Sequence, residues 1–228
     1  MARPRKQPEI TAEMLLRAYS IGLFPMAEDA EAEHLFWVEP EERGIFPLDG
    51  LVISKSLAKT VRSDRFEVVA DRDFAATMRA CAGRHTTWIN AEILRLYGEL
   101  HEHGFAHSVE AYEDGACVGG LYGVSLGAAF FGESMFHGAR DASKVALVHL
   151  VARLNLGGFR LLDAQFITPH LTSLGAVEIP RAEYLEKLRD AVGGEADFDA
   201  YPPAQAMGGA RALELARGGT SLANLSTN

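Results

Sequence analysis

The dipeptide Asp114-Gly115 most constrains how this chain can fold. It interrupts "HSVEAYEDGACVGGLYGVSLGAAFFGESMF", residues 107–136, a run dense in β-branched, aromatic and small apolar residues. Asp-Gly supplies the two left-handed positions that a tight hairpin turn requires, so the text on either side is expected to pair as antiparallel strands. Helical text surrounds it. Thr11 is placed to cap "AEMLLRAYSIG", which Gly22 ends, and "RDFAATMRACAG" closes at Gly83. Asn90 is placed to cap "AEILRLYGELHEHG", with Ile93, Leu96, Tyr97 and Leu100 on one face. Ser143 is the expected cap of "KVALVHLVARLN", which stops at Gly157-Gly158. "FRLLDAQFI" reads as a further strand, and "RAEYLEKLRDAV" as a last long helix. The order predicts an α+β (mixed α/β) fold.

Residues 1–50 are broken by prolines and glycines and read as a small N-terminal unit without a large core of its own. Residues 51–192 carry the regular text of the main domain. The Ala/Gly/Pro-rich tail, 193–228, is expected to dock loosely. With 48% hydrophobic and 23% charged residues the composition is that of a soluble chain. No run reaches the length of a membrane span, and "MARPRKQPEI" lacks the apolar core of a signal peptide, so a cytoplasmic location and no membrane partner are expected. Two cysteines, Cys81 and Cys117, without CxxC spacing argue against a disulfide framework or zinc site. A net charge of -9 argues against a general nucleic-acid coat and leaves room for a local basic patch.

Several residues stand out chemically. Glu133 sits between Phe130-Phe131 and Met135-Phe136, where an unpaired carboxylate is costly unless it reaches water or a cationic partner. Strand alternation puts Asp163 and Gln165 on one face, either as a solvated edge or as a carboxylate orienting an amide. Leu147, Leu150, Val151 and Leu154 form a helical stripe, ordinary core or one wall of a pocket with Phe130 and Leu121 opposite. A pocket with Glu133 at its mouth suits a molecule that is cationic at one end and apolar at the other. Lys55, Lys59 and Arg62, with Arg65 beyond, make a positive stripe able to touch phosphates or simply to face water. Trp37 and Trp88 stand near loops and could stack on a base or pack. His101, His103 and His107 straddle a helix end without HExxH spacing, so no metal site is expected. "GGLYGVSLG" does not open a helix and fails as a dinucleotide loop.

Taken in order, "AYSIGLFPM", "FWVEPEERGIFP", "TTWIN", "LHEHGFAHSVEAYEDGACVGGLYGVSLGAAFFGESMF", "ASKVAL" and "LLDAQFITPHLTSLGAVEIPR" resemble the blocks of leucyl/phenylalanyl-tRNA-protein transferases, over residues 10 to 190. The resemblance implies a GNAT-like acyltransferase domain behind a small N-terminal α+β domain. It implies transfer of Leu or Phe, less readily Met, from aminoacyl-tRNA to proteins with N-terminal Arg or Lys. The products would be N-degrons for Clp-dependent proteolysis, and no cofactor is implied. Carried over by position, Asp163 and Gln165 fall on the catalytic pair and Glu133 on the group that recognises the donor amine. Leu121, Phe130, Leu147, Leu150, Leu154 and Leu162 fall on the side-chain pocket. Trp37 and Trp88 fall on residues that hold the terminal adenosine, and Lys55, Lys59, Arg62 and Arg65 on a tRNA-contacting region. His137, Thr168, Leu150 and Leu154 depart from the family pattern and bear on the ranking of Leu, Phe and Met. Two alternatives stand beside this reading. One is an acyl-CoA-dependent GNAT enzyme, for which "HGARDAS" is a poor pyrophosphate loop; the other is a non-catalytic tRNA- or N-degron-binding module.

Overall fold

The computed structural model describes residues 10–83 and 87–218. Residues 1–9 of the expected N-terminal unit and 219–228 of the expected tail lie outside the described residues. The chain runs α1 (Ala12–Ser20), β1 (Phe24–Met26), β2 (Phe36–Val38), β3 (Glu42–Phe46), α2 (Lys55–Arg62), β4 (Glu67–Ala70), α3 (Phe74–Ala82), α4 (Ala91–Glu102) and β5 (Ala106–Glu113). It continues through β6 (Ala116–Leu126), β7 (Ala129–His137), α5 (Ala142–Gly157), β8 (Leu161–Gln165), α6 (Pro169–Ser173), β9 (Val177–Pro180), α7 (Arg181–Val192) and α8 (Gly209–Ala216). The α+β class expected from the sequence is the class observed.

Asp114 and Gly115 both take left-handed backbone angles, φ +50° and +78°, and turn β5 into β6. Among the described residues a seven-stranded sheet has the order β4-β5-β6-β7-β8-β3-β9. Every neighbouring pair is antiparallel except β7 with β8, which run parallel. β1 and β2 form a separate antiparallel pair. Thr11 and Asn90 cap α1 and α4 as expected, each accepting from the backbone N–H three residues on.

Two apolar clusters cover the two faces of the sheet. Phe130 and Phe131, neighbours on β7, belong to opposite ones. The first gathers α2, α5 and α8. The second gathers α1, α3, α4 and α7. β3, inside the expected N-terminal unit, is hydrogen-bonded between β8 and β9. Leu15, Tyr19 and Phe24 share a cluster with Tyr97 and Phe131.

Three details depart from the sequence reading. Ser143 does not cap α5; the cap position is Asp141, in a left-handed conformation, and Ser143 is buried in the first turn. α5 is buried almost all round rather than along one stripe, because the C-terminal segment covers its outer side. That segment is therefore not loosely docked through residue 218. Phe198, Met207, Ala212, Leu213 and Leu215 are core residues, and buried Arg153 donates to the carbonyls of Tyr201, Pro202 and Pro203. A Cβ on Gly209 would sit 1.8 Å from the Val61 carbonyl oxygen, so only glycine lets α8 approach α2 this closely.

Candidate active site

The pairing of β7 with β8 stops at Phe131 and Asp163, and a cavity opens where the two strands part. Both strands carry an irregularity at that point. On β7, Gly132 lies opposite Gly123 and Ser134 opposite Tyr122, which leaves Glu133 as an extra, bulged residue. The bulge reverses the alternation. Phe131 packs with the α1/α4 side, whereas Met135 packs with the α5 side and Phe136 with the α1/α4 side. On β8, Asp163 lies opposite Ile45 and Gln165 opposite Gly44, so Ala164 is extra. Gln165 has φ +55°, a left-handed angle that costs a non-glycine residue on the order of 1 kcal/mol. Its backbone N–H is turned back onto Asp163 Oδ1 at 2.7 Å. A hydrogen bond across a kink, rather than plain strand alternation, joins the two.

Asp163 is fully buried. Arg43 grips it through Nε at 3.0 and 3.2 Å and Nη2 at 2.6 Å, and Tyr184 donates to it at 2.7 Å. Arg43 also donates to the Gly22 carbonyl and lies over the rings of Phe24 and Tyr184. Glu133, partly buried, has softer company. Tyr19 donates to Oε1 at 2.6 Å, Gln165 Nε2 to the same oxygen at 3.3 Å, and Tyr97 approaches Oε2 at 3.2 Å. Burial pushes the Glu133 carboxyl up to about 7; Asp163 also pushes it up, while the tyrosines and Arg43 pull against this. So the carboxylate meets neutral hydroxyls and an amide, and its ionisation balances near neutrality.

The cavity encloses about 760 Å³ and has a mainly apolar wall. Its size and lining suit a small organic group with one polar end. The leucyl/phenylalanyl-tRNA protein transferase family matches residues 45–189, and the N-terminal domain of the same family matches residues 8–41. The chain belongs to this family. The leucyl/phenylalanyl-tRNA--protein transferase of Rhodopseudomonas palustris (strain HaA2) is 58% identical over 218 residues, 94% of this chain and 97% of the relative. That of Afipia carboxidovorans is 55% identical over 224 residues, covering 96% and 99%. That of Paramagnetospirillum magneticum is 58% identical over 194 residues, covering 83% and 93%.

For this member of the leucyl/phenylalanyl-tRNA protein transferase family, the structure sorts the expected site residues. Glu133, Asp163 and Gln165 come together in the cavity wall. Leu121, Leu147, Leu150 and Leu162 line its wall, and so does Trp88. Phe130 and Leu154 do not. Both are fully buried in the core beside it, with Phe130 stacked against Phe198. Trp37 is also outside the cavity; it sits half-exposed on β2, paired with Pro25. The apolar residues that β1 turns into the cavity are Phe24 and Met26. They lie within the quoted block "AYSIGLFPM", but nothing in their spacing marked them as lining. Arg43, Tyr19 and Tyr97 were likewise not singled out as site residues, because their importance comes from contacts 36 to 120 residues away in sequence.

Lys55, Lys59 and Arg62 are exposed on α2, whose Leu57, Ala58 and Val61 are buried. Arg65 is paired with Glu113 at 2.6 Å. The three histidines separate. His101 and His103 contact the carbonyls of Ala106 and Glu99, and His107 contacts Asp71. Among the described residues Asp71, His107 and Asp199 do cluster, with the charge of Arg153 already facing the two aspartates.

Proposed function

We propose that this chain is an aminoacyltransferase that moves Leu or Phe, less readily Met, from aminoacyl-tRNA to the N-terminal Arg or Lys of acceptor proteins in the cytoplasm. In this reading residues 51–192 act as a GNAT-like catalytic domain and the products are N-degrons destined for Clp-dependent proteolysis. The observation that carries it is Glu133: a carboxylate that, among the described residues, has no cationic side chain in hydrogen-bond contact and lines an apolar cavity. A donor aminoacyl group brings the missing cation and fills the apolar space. Leu121, Leu147, Leu150 and Leu162 receive its side chain, Trp88 with Met26 supports the terminal adenosine, and Lys55, Lys59 and Arg62 meet tRNA phosphates.

The chemistry asks for positioning more than for a strong base. An α-amine has an ordinary pKa of about 8, so a useful fraction of the acceptor is neutral at neutral pH. The amine nitrogen bonds to the ester carbonyl, the bond to the ribose oxygen breaks, and the amine's proton ends on that oxygen. Gln165 spends Nε2 on Glu133, leaving Oε1 to accept from the attacking amine. Asp163, with its oxygens taken by Arg43, Tyr184 and the Gln165 N–H, acts by fixing Gln165. The segment "HGARDAS" that leads into α5 lacks the pattern of a pyrophosphate loop, and Asp141 at the cap position is paired with Lys144, which disfavours an acyl-CoA donor. The test is transfer of labelled Leu, Phe and Met from charged tRNA to a peptide beginning with Arg, beside an acetylated control. Transfer to the free peptide alone is expected. Absence of transfer with tRNA still bound would make the chain a binding module.

A further inference from the structure

Residues 19–26 reach the site in two places. Tyr19 donates to Glu133 Oε1 at 2.6 Å, and Phe24 and Met26 form part of the cavity wall. Between them the chain leaves α1 at Gly22, whose N–H bonds to the Tyr19 carbonyl and whose φ of +90° favours glycine. One side chain pins that turn. Arg43 Nη1 donates to the Gly22 carbonyl at 2.9 Å, and the same guanidinium lies 4.5 Å from the centre of the Phe24 ring. Its other edge holds Asp163, through Nε at 3.0 Å and Nη2 at 2.6 Å. Asp163 in turn holds the kinked backbone of Gln165 at 2.7 Å. Arg43 is 1% exposed, so both sets of bonds lie away from solvent. An apolar bridge runs beside them: Phe24 meets Phe166, the residue after Gln165, edge-on at 5.6 Å. The donors of a guanidinium are fixed in one plane, so a shift at either end is carried to the other.

We infer that Arg43 is a positioning residue that locks residues 19–26 to the Gln165 kink, and so sets the donor-amine contact and the acceptor-orienting amide in one fixed relation. The inference rests on Glu133 as the donor-amine site. Arg43 does not line the cavity. It acts at one end through Asp163 on Gln165, and at the other through Gly22 on Tyr19, whose hydroxyl aims the Glu133 carboxylate. A lysine retains the charge and a contact with Asp163, but its ammonium has no fork to span Asp163 and Gly22 together. Arg43→Lys therefore keeps Asp163 paired and frees the turn at Gly22.

The experiment measures kcat/KM for leucyl-tRNA and for the same tRNA carrying the corresponding α-hydroxy acid. The ratio of the two does not depend on the fraction of enzyme that is folded, so a merely structural role would not move it. The wild type should prefer the amine, and Arg43→Lys should lower that preference by about 3- to 10-fold. Tyr184→Phe removes a different bond to Asp163 and keeps its ring beside Arg43. It should slow both substrates alike and leave the ratio at the wild-type value. Where Arg43→Lys does not fold, Phe24→Leu takes its place: it keeps an apolar wall, removes the ring beside the guanidinium and should lower the ratio by about 2- to 5-fold. An unchanged ratio in the variant used, or an equal fall in Tyr184→Phe, would overturn the inference while leaving the donor site intact. No preference for the amine in the wild type would overturn both.

Discussion

Glu133 and Asp163 stand on adjacent parallel strands, at the point where those strands part, and their surroundings are opposite. Asp163 is saturated by a two-toothed guanidinium, a phenol and a backbone N–H, all buried. Glu133 has two phenols, one long amide contact and an opening to the cavity. A saturated carboxylate can hold a backbone in place but has nothing left to offer a substrate. An under-supplied one costs stability and retains binding capacity. The difference assigns structure to one carboxylate and recognition to the other, with Gln165 bonded to both.

Removing Asp163 should have the largest effect. Asp163→Ala leaves Arg43 buried and unpaired and should cost about 3–5 kcal/mol. That is a fall in Tm of roughly 10 °C by thermal unfolding, with transfer lost. A variant as stable as the wild type would remove the contrast. Gln165→Gly comes next and separates geometry from chemistry. Glycine relaxes the left-handed backbone at residue 165, so Tm should hold or rise by a degree or two, while transfer falls about 100-fold for loss of the amide. Unchanged kcat would show that the kink alone suffices.

The elements legible in the sequence were those with local causes. Asp114-Gly115 made a hairpin, Thr11 and Asn90 capped helices, and α4 buried the face that Ile93, Leu96, Tyr97 and Leu100 define. Glu133 was conspicuous because a charge interrupts an apolar run. What sequence could not show were the bulges at Glu133 and Ala164, since an extra residue in a ladder exists only relative to the partner strand. The same holds for Arg43, whose partner lies 120 positions on. Trp37 looked like Trp88 in the sequence; the short β1–β2 pair keeps the first outside and β1 sends Met26 into the cavity. The C-terminal segment looked loose because its alanines and glycines signal disorder by composition, yet small residues are what close packing against α5 requires.

The pH response distinguishes the carboxylates at smaller amplitude. A folded-state value of about 7 lies above the ordinary carboxyl range, so the native protein holds a proton on Glu133 that the unfolded chain gives up. The stability tied to this proton is present below pH 4.5 and is lost as pH rises towards 7. Glu133→Gln should therefore gain on the wild type between pH 5 and 8, by on the order of 1–3 kcal/mol in denaturant titrations. A constant difference between the two proteins across that range would contradict it. Smallest is the tRNA surface. Lys59→Glu with Arg62→Glu should raise KM for charged tRNA several-fold, more at low salt than at high, and leave kcat unchanged. A salt-independent KM would return α2 to ordinary solvated surface.

The most direct test of Glu133 as the donor-amine site compares leucyl-tRNA with the same tRNA carrying the corresponding α-hydroxy acid, in the wild type and in Glu133→Gln. Loss of a charge-assisted hydrogen bond should make the wild type prefer the amine by about 10- to 100-fold in kcat/KM, and Glu133→Gln should bring that ratio close to one. The same ratio in both proteins would place recognition of the amine elsewhere.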